Sequence, residues 1–164
     1  MDATTCPTCG RALSEHDRHV RFTLPDPVLA LPERERTPGV WMTGENARDA
    51  DLMQVPKVGA FVRALLPIHL TEGHRLTFGV WLAIDPSRFL EVVEVWHAPA
   101  YADLRLDAWL ANAIPPWGML AAPVHAVVRD PGHTPYCDSS TDPVLTAVLH
   151  DDWPHETVLA SVTG

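Results

Sequence analysis

The chain has 164 residues, 46% of them hydrophobic, and a formal net charge of −9 at pH 7. This length and apolar content suit one domain with a sizeable core. Because 21 acidic residues outnumber 12 basic ones, the chain repels phosphate backbones and anionic membranes, and neither partner is expected. No apolar run has the length that a bilayer requires, and the first residues lack an export signal, which predicts a cytoplasmic protein.

Local composition divides this single domain, 1–164, into three regions. Residues 1–20 form a leader that carries a cysteine pair, and residues 21–57 are rich in proline and predicted to be mostly loop. Residues 58–164 contain the regular hydrophobic patterns and are predicted to form the core.

The clearest pattern is a predicted hairpin in the middle of the chain. Residues 58–70 have strand character, and 71–74 have the composition of a turn. From Arg75 to Ile84 the residues alternate, so one face of this strand is predicted to be core.

A helix is predicted directly after this hairpin. Asp85 supplies an N-cap oxygen, and Pro86 suits the first turn. Four apolar side chains then fall on one helical stripe, which is expected to lie on the sheet: Phe89, Val92, Val93 and Trp96.

The last third is predicted to add a second hairpin and short helices. The stretch 109–118 looks like one helical turn broken by two prolines. Residues 119–129 alternate like a strand, and a brief strand around 136–137 would pair with it. Asp142 and Pro143 are predicted to begin a short helix. The resulting fold class is α+β, a mostly antiparallel sheet with a few helices packed on it, plus an N-terminal zinc-knuckle-like turn.

The sharpest chemical motif is that turn, Cys6-Pro7-Thr8-Cys9-Gly10. Two thiolates three positions apart reach one ion, and a glycine after the second permits the positive φ of a tight turn. Together with His16 and His19 they make an all-local set of four ligands of the kind that zinc takes. We predict a structural zinc ion bound by Cys6, Cys9, His16 and His19.

The spacing leaves the third and fourth ligands open. The loop from the cysteines to the histidines is shorter than in ordinary zinc fingers, and Cys137 is a rival ligand. An uncoordinated pair and a redox pair are the alternatives. A redox pair normally follows a buried strand, and none is predicted before Cys6. Three cysteines, an odd number, do not suggest a disulfide framework.

Other reactive or aromatic side chains have a structural interpretation beside a functional one. His69 and His125 lie next to apolar residues on predicted strands and are interpreted as satisfied, partly buried histidines. Cys137 is interpreted as a small buried thiol. Trp109 and Trp117 flank prolines and are candidates for lining a partner or ligand groove.

The order of several landmarks resembles a bacterial family, the domain of unknown function (DUF) 2199. The matching segments are Cys6-x2-Cys9-Gly10 followed by His16, Gly79-Val80-Trp81, Trp96, Trp109-Leu110-Ala111-Asn112 before Ile114-Pro115, and Val124-His125. The resemblance implies no activity, because none is established for the family. The chain departs from it where Asp142 replaces a histidine before the proline of the late helix, and at 24–27 after the cysteine pair. A site that used this histidine in relatives would be altered here.

Two functions are consistent with these features. The first is a zinc-stabilised, non-catalytic module that binds another protein, as a regulator or an immunity-type partner. The second is a small metal-dependent enzyme or biosynthetic accessory protein, in which the ion is a Lewis acid with one open position among His16, His19 and Cys137. The sequence contains none of the common hydrolase, zinc-protease or nucleotide-binding motifs, so whether the chain is an enzyme stays open.

Overall fold

The structure is a computed structural model that describes residues 19–32, 39–44, 46–47, 49–154 and 157–158. Within these ranges strands are the main regular secondary structure. The strands are β1 (His19–Arg21), β2 (Trp41–Met42), β3 (Leu52–Val55), β4 (Gly59–His69), β5 (Arg75–Ile84), β6 (Arg105–Leu110), β7 (Pro123–Val127) and β8 (Tyr136–Ser139). The α-helices are short: α1 (Asp26–Leu29), α2 (Phe89–Val95) and α3 (Pro143–His150).

The β4–β5 hairpin is the longest paired unit. Its register runs from Ala60 opposite Ile84 to His69 opposite Arg75. Between the strands, Glu72 has a φ of 67°, in the left-handed region that suits a tight turn. The predicted hairpin is therefore confirmed, as are α2 after Asp85 and α3 after Asp142.

Five strands close into a barrel. β5, β6, β7 and β8 are successive antiparallel neighbours, and β8 returns to β4 in parallel, with Tyr136 opposite Leu65. The Leu65 amide also donates to the Pro135 carbonyl at 2.8 Å. Since β4 already pairs with β5, this last contact completes the ring. The other strands extend the sheet outside the ring, β1 beside β5 and β3 followed by β2 beside β4.

The α+β prediction is therefore wrong, because the chain is mostly a sheet that closes into a five-stranded barrel with few helices. The reason is that strand alternation specifies which face is buried, whereas closure depends on register and twist across strands far apart in sequence. The predicted helical turn at 109–118 is also wrong, since Trp109 and Leu110 end β6 and residues 111–118 are not helical. No zinc-knuckle-like turn is seen among the described residues, and Cys6, Cys9 and His16 lie outside them.

The barrel interior is apolar. Side chains from β4 and β5 fill it, and α2 and α3 contribute buried residues at its periphery. Phe78 is fully buried there and stacks on Phe22, with ring centroids 5.9 Å apart. Trp96 and Tyr101 pack edge to face with centroids 5.1 Å apart. Burial of this surface is the main stabilising contribution to the barrel.

A second, smaller core lies on the opposite face of β5 and contains buried polar groups. Trp81 is its largest side chain, and Arg63 and Asn112 are fully buried beside it. The Arg63 guanidinium stacks on the Trp81 ring, 3.9 Å from its centroid. It donates to the carbonyls of Ala50 at 3.2 Å and Ala47 at 2.9 Å, and also to that of Phe22. Burial, followed by the charge of Arg21, lowers the pKa of Arg63 to about 9.

Asn112 joins this second core to the segment between β1 and α1. Its Oδ1 accepts from the Trp81 amide at 2.8 Å, and its Nδ2 donates to the Leu24 carbonyl at 2.9 Å and to Asp26 Oδ1 at 3.1 Å. The Trp81 indole donates to the Thr23 carbonyl at 3.2 Å. These bonds satisfy backbone groups of a proline-rich segment that lacks a long ladder of its own.

Candidate functional site

The main candidate site is an exposed apolar area between β2 and α2, which we call the Trp41 surface. It consists of Trp41, Pro86, Phe89, Leu90 and Val93, which line a cavity of about 330 Å³ together with Gln54. The Trp41 and Phe89 rings pack edge to face, with centroids 5.6 Å apart. Leu90 is 67% exposed and Trp41 44% exposed, so two large apolar side chains on one cavity face solvent.

A second cavity of about 510 Å³ continues this surface past Gln54 and Pro86. Its far wall is the β3–β4 turn, where Lys57 has a φ of 66°. Gly39 closes the other side with a φ of 73°, and a Cβ there would lie 3.0 Å from Pro56 Cγ. Glycine is therefore favoured at 39, both for its backbone conformation and for its close contact with the turn.

Helix α2 presents Leu90 to solvent because its buried stripe is already formed by other positions. Phe89 and Val92 face the barrel core, whereas Leu90, one residue after Phe89 and two before Val92, lies on a different side of the helix. Asp85 starts the preceding turn by accepting from the Ser87 amide at 2.9 Å. Hydrogen bonds from Ser87 hold the pKa of Asp85 below its ordinary value.

A separate cavity of about 250 Å³, lined by both polar and apolar residues, lies on β6, β7 and β8, and we call it the His125 cavity. Asp107 on β6 and Ser139 on β8 are each opposite His125 on β7. His125 Nδ1 lies 2.9 Å from Asp107 Oδ1. The remaining lining is Ala108, Trp109, Pro123, Val124, Ser140 and Thr141. A register shift leaves Asp138 as an extra residue beside the cavity, and bulges of this kind re-aim the side chains around them.

The two tryptophans predicted to line one groove lie in different places. Trp109 is 47% exposed and lines the His125 cavity. Trp117 is partly buried against the barrel core and packs on Trp153, with ring centroids 4.9 Å apart. The residues that line the His125 cavity include Trp109 but not Trp117.

The predicted metal ligands are only partly described. His19 lies on β1, with its Nε2 3.1 Å from where a Cβ at Gly79 would be, so it packs closely over β5. Burial, followed by Arg21 and Arg63, lowers its pKa. Cys137 is fully buried inside the barrel, where burial raises the pKa of its thiol to about 12. It is therefore a protonated thiol at neutral pH, and its interpretation as a buried thiol is confirmed.

In the part of the chain that the structure describes, no group of three or more His, Cys, Asp or Glu side chains could hold a metal ion. The zinc ion at Cys6, Cys9, His16 and His19 stays a prediction. Elemental analysis of the purified protein and of a Cys6→Ala variant tests it. We expect about one zinc per chain in the wild type and none in the variant, which should also unfold at a lower temperature.

The fold and the Trp41 surface define the class of this protein, a small β-barrel with an exposed apolar area. The chain belongs to the family of uncharacterized proteins conserved in bacteria (DUF2199), whose family model matches residues 5–147. This confirms the resemblance noted from the sequence. No curated protein and no solved structure matches the chain. Among the described helices, none combines the length and the apolar character needed to span a bilayer.

Sequence reasoning missed the Trp41 surface. Trp41 stood in a region predicted to be mostly loop, and Leu90 was one apolar residue beside a strong stripe. The available signal was that Leu90 is apolar at a position that the helical period places outside the buried face.

Proposed function

We propose that this protein is a non-catalytic protein-binding module, and that the Trp41 surface holds an apolar, basic segment of its partner. The observation that carries the proposal is the joint exposure of Trp41 and Leu90 on one cavity, at 44% and 67%. Scattered exposed apolar residues are ordinary, but neighbours that line one cavity are typical of interaction sites. Tryptophan is also among the residue types that contribute most to binding at interfaces.

The charges around this surface favour a basic partner. Asp85, Glu91 and Glu94 are exposed on α2 and on the turn before it. Arg88 is the cation nearest to them in sequence, and it pairs with Glu91 at 3.0 Å. With a net charge of −9 for the whole chain, basic segments are attracted and acidic ones repelled, which raises the association rate.

Replacing Leu90, the most exposed apolar side chain of the Trp41 surface, with a charged residue tests the proposal. We expect Leu90→Asp to weaken partner binding by at least about tenfold, because the apolar contact would be replaced by a carboxylate that must be desolvated. Leu120→Asp is the matched control, since Leu120 is 50% exposed and lines none of the cavities described above. Affinity purification from the native host, followed by titration of the recovered partner, measures both.

Unfolding curves of the two variants show whether the fold is intact. A partner that Leu90→Asp retains, or that Leu120→Asp loses to the same degree, contradicts the proposal. The rate of association should also fall as salt is added, because the steering charges are solvent-exposed.

A further inference from the structure

The polar side chains that line the His125 cavity offer hydrogen-bond acceptors, and these determine which kind of ligand the cavity can bind. The side chain of Asp107 is 93% exposed and that of His125 34% exposed. A carboxylate only accepts hydrogen bonds, so His125 Nδ1 must donate to Asp107 Oδ1 across the 2.9 Å contact. In neutral His125 the lone pair is then on Nε2, which is left as an acceptor.

The rest of the lining adds acceptors and no cation. Ser139 is exposed, and its hydroxyl has no hydrogen bond within the described part of the chain. The Ser140 hydroxyl, in contrast, is used by the Pro123 carbonyl and by the Asp142 amide. Among the described residues that line the cavity there is no lysine or arginine. A ligand that donates several hydrogen bonds and carries a positive charge fits these groups.

Trp109 adds a flat aromatic face to the same cavity. Its side chain is 47% exposed, and the faces of indole rings attract cations. A guanidinium group is planar, stacks on aromatic rings and presents donors around its edge. It can therefore stack on Trp109 while its edge donates to Asp107, His125 Nε2 and Ser139.

Among the described residues, an arginine stacks on an aromatic ring in two places. Arg63 lies 3.9 Å from the Trp81 ring centroid and donates to backbone carbonyls around it. Arg129 lies 4.9 Å from the Tyr136 ring centroid and donates to Asp138 at 3.1 Å. The second example combines an aromatic face with a carboxylate, and Trp109 with Asp107 offers the same combination to solvent.

We propose that the His125 cavity is a binding site for a guanidinium group, with Trp109 as the stacking face and Asp107, His125 and Ser139 as acceptors. The group belongs either to a small guanidinium compound or to an arginine side chain of a polypeptide. The site has no lining residue in common with the Trp41 surface, so this inference does not depend on the proposed function.

Titration of the intact protein with ethylguanidinium tests the proposal, with the indole N–H signal of Trp109 as the readout in nuclear magnetic resonance. A Trp109→Phe variant identifies this signal among the six tryptophans. We expect a saturable shift with ethylguanidinium and none with ethylurea, its neutral planar analogue. An equal response to ethylurea overturns the proposal, because charge would then have no part in binding.

Two variants, each of which removes one carboxylate charge, test whether Asp107 accepts hydrogen bonds from the ligand. Asp107→Asn should weaken ethylguanidinium binding by about two- to fivefold, the range for exposed ion pairs and cation–π contacts. Asp138→Asn removes the same charge one residue outside the lining and should leave the affinity unchanged. If both variants weaken binding equally, the effect is long-range attraction and the proposed site is wrong.

A further titration distinguishes a small guanidinium compound from an arginine side chain of a polypeptide. Tighter binding of a blocked Gly-Arg-Gly peptide than of ethylguanidinium assigns the site to an arginine of a polypeptide. Equal or weaker binding of the peptide assigns it to a small guanidinium compound. No binding of either probe, with the fold intact by its unfolding curve, overturns the proposal.

Discussion

The barrel interior and the second core on the outer face of β5 are stabilised in different ways. The interior is apolar, and Phe78, Leu66 and Val80 are fully buried in it. The second core surrounds two fully buried polar side chains, Arg63 and Asn112, whose hydrogen bonds reach the backbone of 22–26 and 47–50. The stability of the interior therefore comes from non-directional apolar packing, whereas that of the second core comes from hydrogen bonds between particular donors and acceptors.

The difference shows how a proline-rich segment is fixed to a sheet. Residues 22–26 contribute few strand pairings of their own. The carbonyls of residues 22–24 accept instead from side chains of Arg63 on β4, Trp81 on β5 and Asn112, which lies two residues after β6. An unsatisfied buried carbonyl costs about 1–3 kcal/mol, so these contacts are needed although each one contributes little net stability. Loss of the second core should release this segment before the barrel opens.

The largest expected effect is in the barrel. Phe78→Ala removes a fully buried ring and its stacking on Phe22, and it should lower the free energy of unfolding by about 3–5 kcal/mol. Phe78→Leu keeps most of the volume and should cost about 1.5 kcal/mol or less. Denaturant titration measures both, and a small effect of Phe78→Ala would mean that the interior is not the dominant source of stability.

The next largest effect is expected for Arg63→Met. The thioether fills much of the space but leaves the carbonyls of Phe22 and Ala47 without their donor, at a cost of about 2–4 kcal/mol. The change should be local. Hydrogen exchange should accelerate at the Phe22 amide, which donates to Gly79 O at 2.9 Å, while amides within the β4–β5 ladder stay protected. Equal acceleration in both places would show that the two cores unfold as one unit.

Asn112→Ala should destabilise the protein by about 1–3 kcal/mol, because it removes three hydrogen bonds from a fully buried amide. Asn46→Ala is the matched control, since the Asn46 side chain bonds at the surface, to Asp49. Its effect should stay within about 0.5 kcal/mol. Similar losses for the two variants would remove the distinction between the buried and the exposed amide.

The effect that is smallest near neutral pH concerns the pKa of Cys137. Burial raises its pKa from 9.0 to about 12, so above pH 9 the unfolded chain loses this proton while the folded chain keeps it. Stability should therefore fall as the pH rises from 9 towards 12, and less so in a Cys137→Ala variant measured beside the wild type. Alkylation followed by peptide mapping should find Cys137 unreactive in the native protein at pH 8. Rapid modification there would contradict its burial.

The hairpin and helix that organise the barrel could be predicted because their signals are local. Alternation over 75–84 and the stripe from Phe89 to Trp96 each describe one element and its buried face. The second core could not be predicted, because the alternation assigned only one face of β5 to the core. A hint was present in Arg63, a charged residue within an apolar strand, which needs partners if it is buried.

The candidate sites were less predictable than the fold. Trp109 was named as a surface residue, but its neighbours Asp107, His125 and Ser139 come from three strands whose pairing no local pattern specifies. His125 was interpreted as a satisfied, partly buried histidine, and its bond to Asp107 agrees with that interpretation. The Trp41 surface combines an edge strand and a helix about fifty residues apart in sequence.

The sequence by itself determined the family, the long central hairpin, the helix starts at Asp85 and Asp142, and the acidic character of the chain. These follow from short-range periodicity, capping chemistry and charge, which act within a few residues. Only the tertiary structure decided that the sheet closes at Leu65 and Tyr136, that Arg63 is buried on Trp81, and which side chains share a cavity. Those outcomes depend on register and twist between distant strands, where a shift of one residue turns every side chain to the other face.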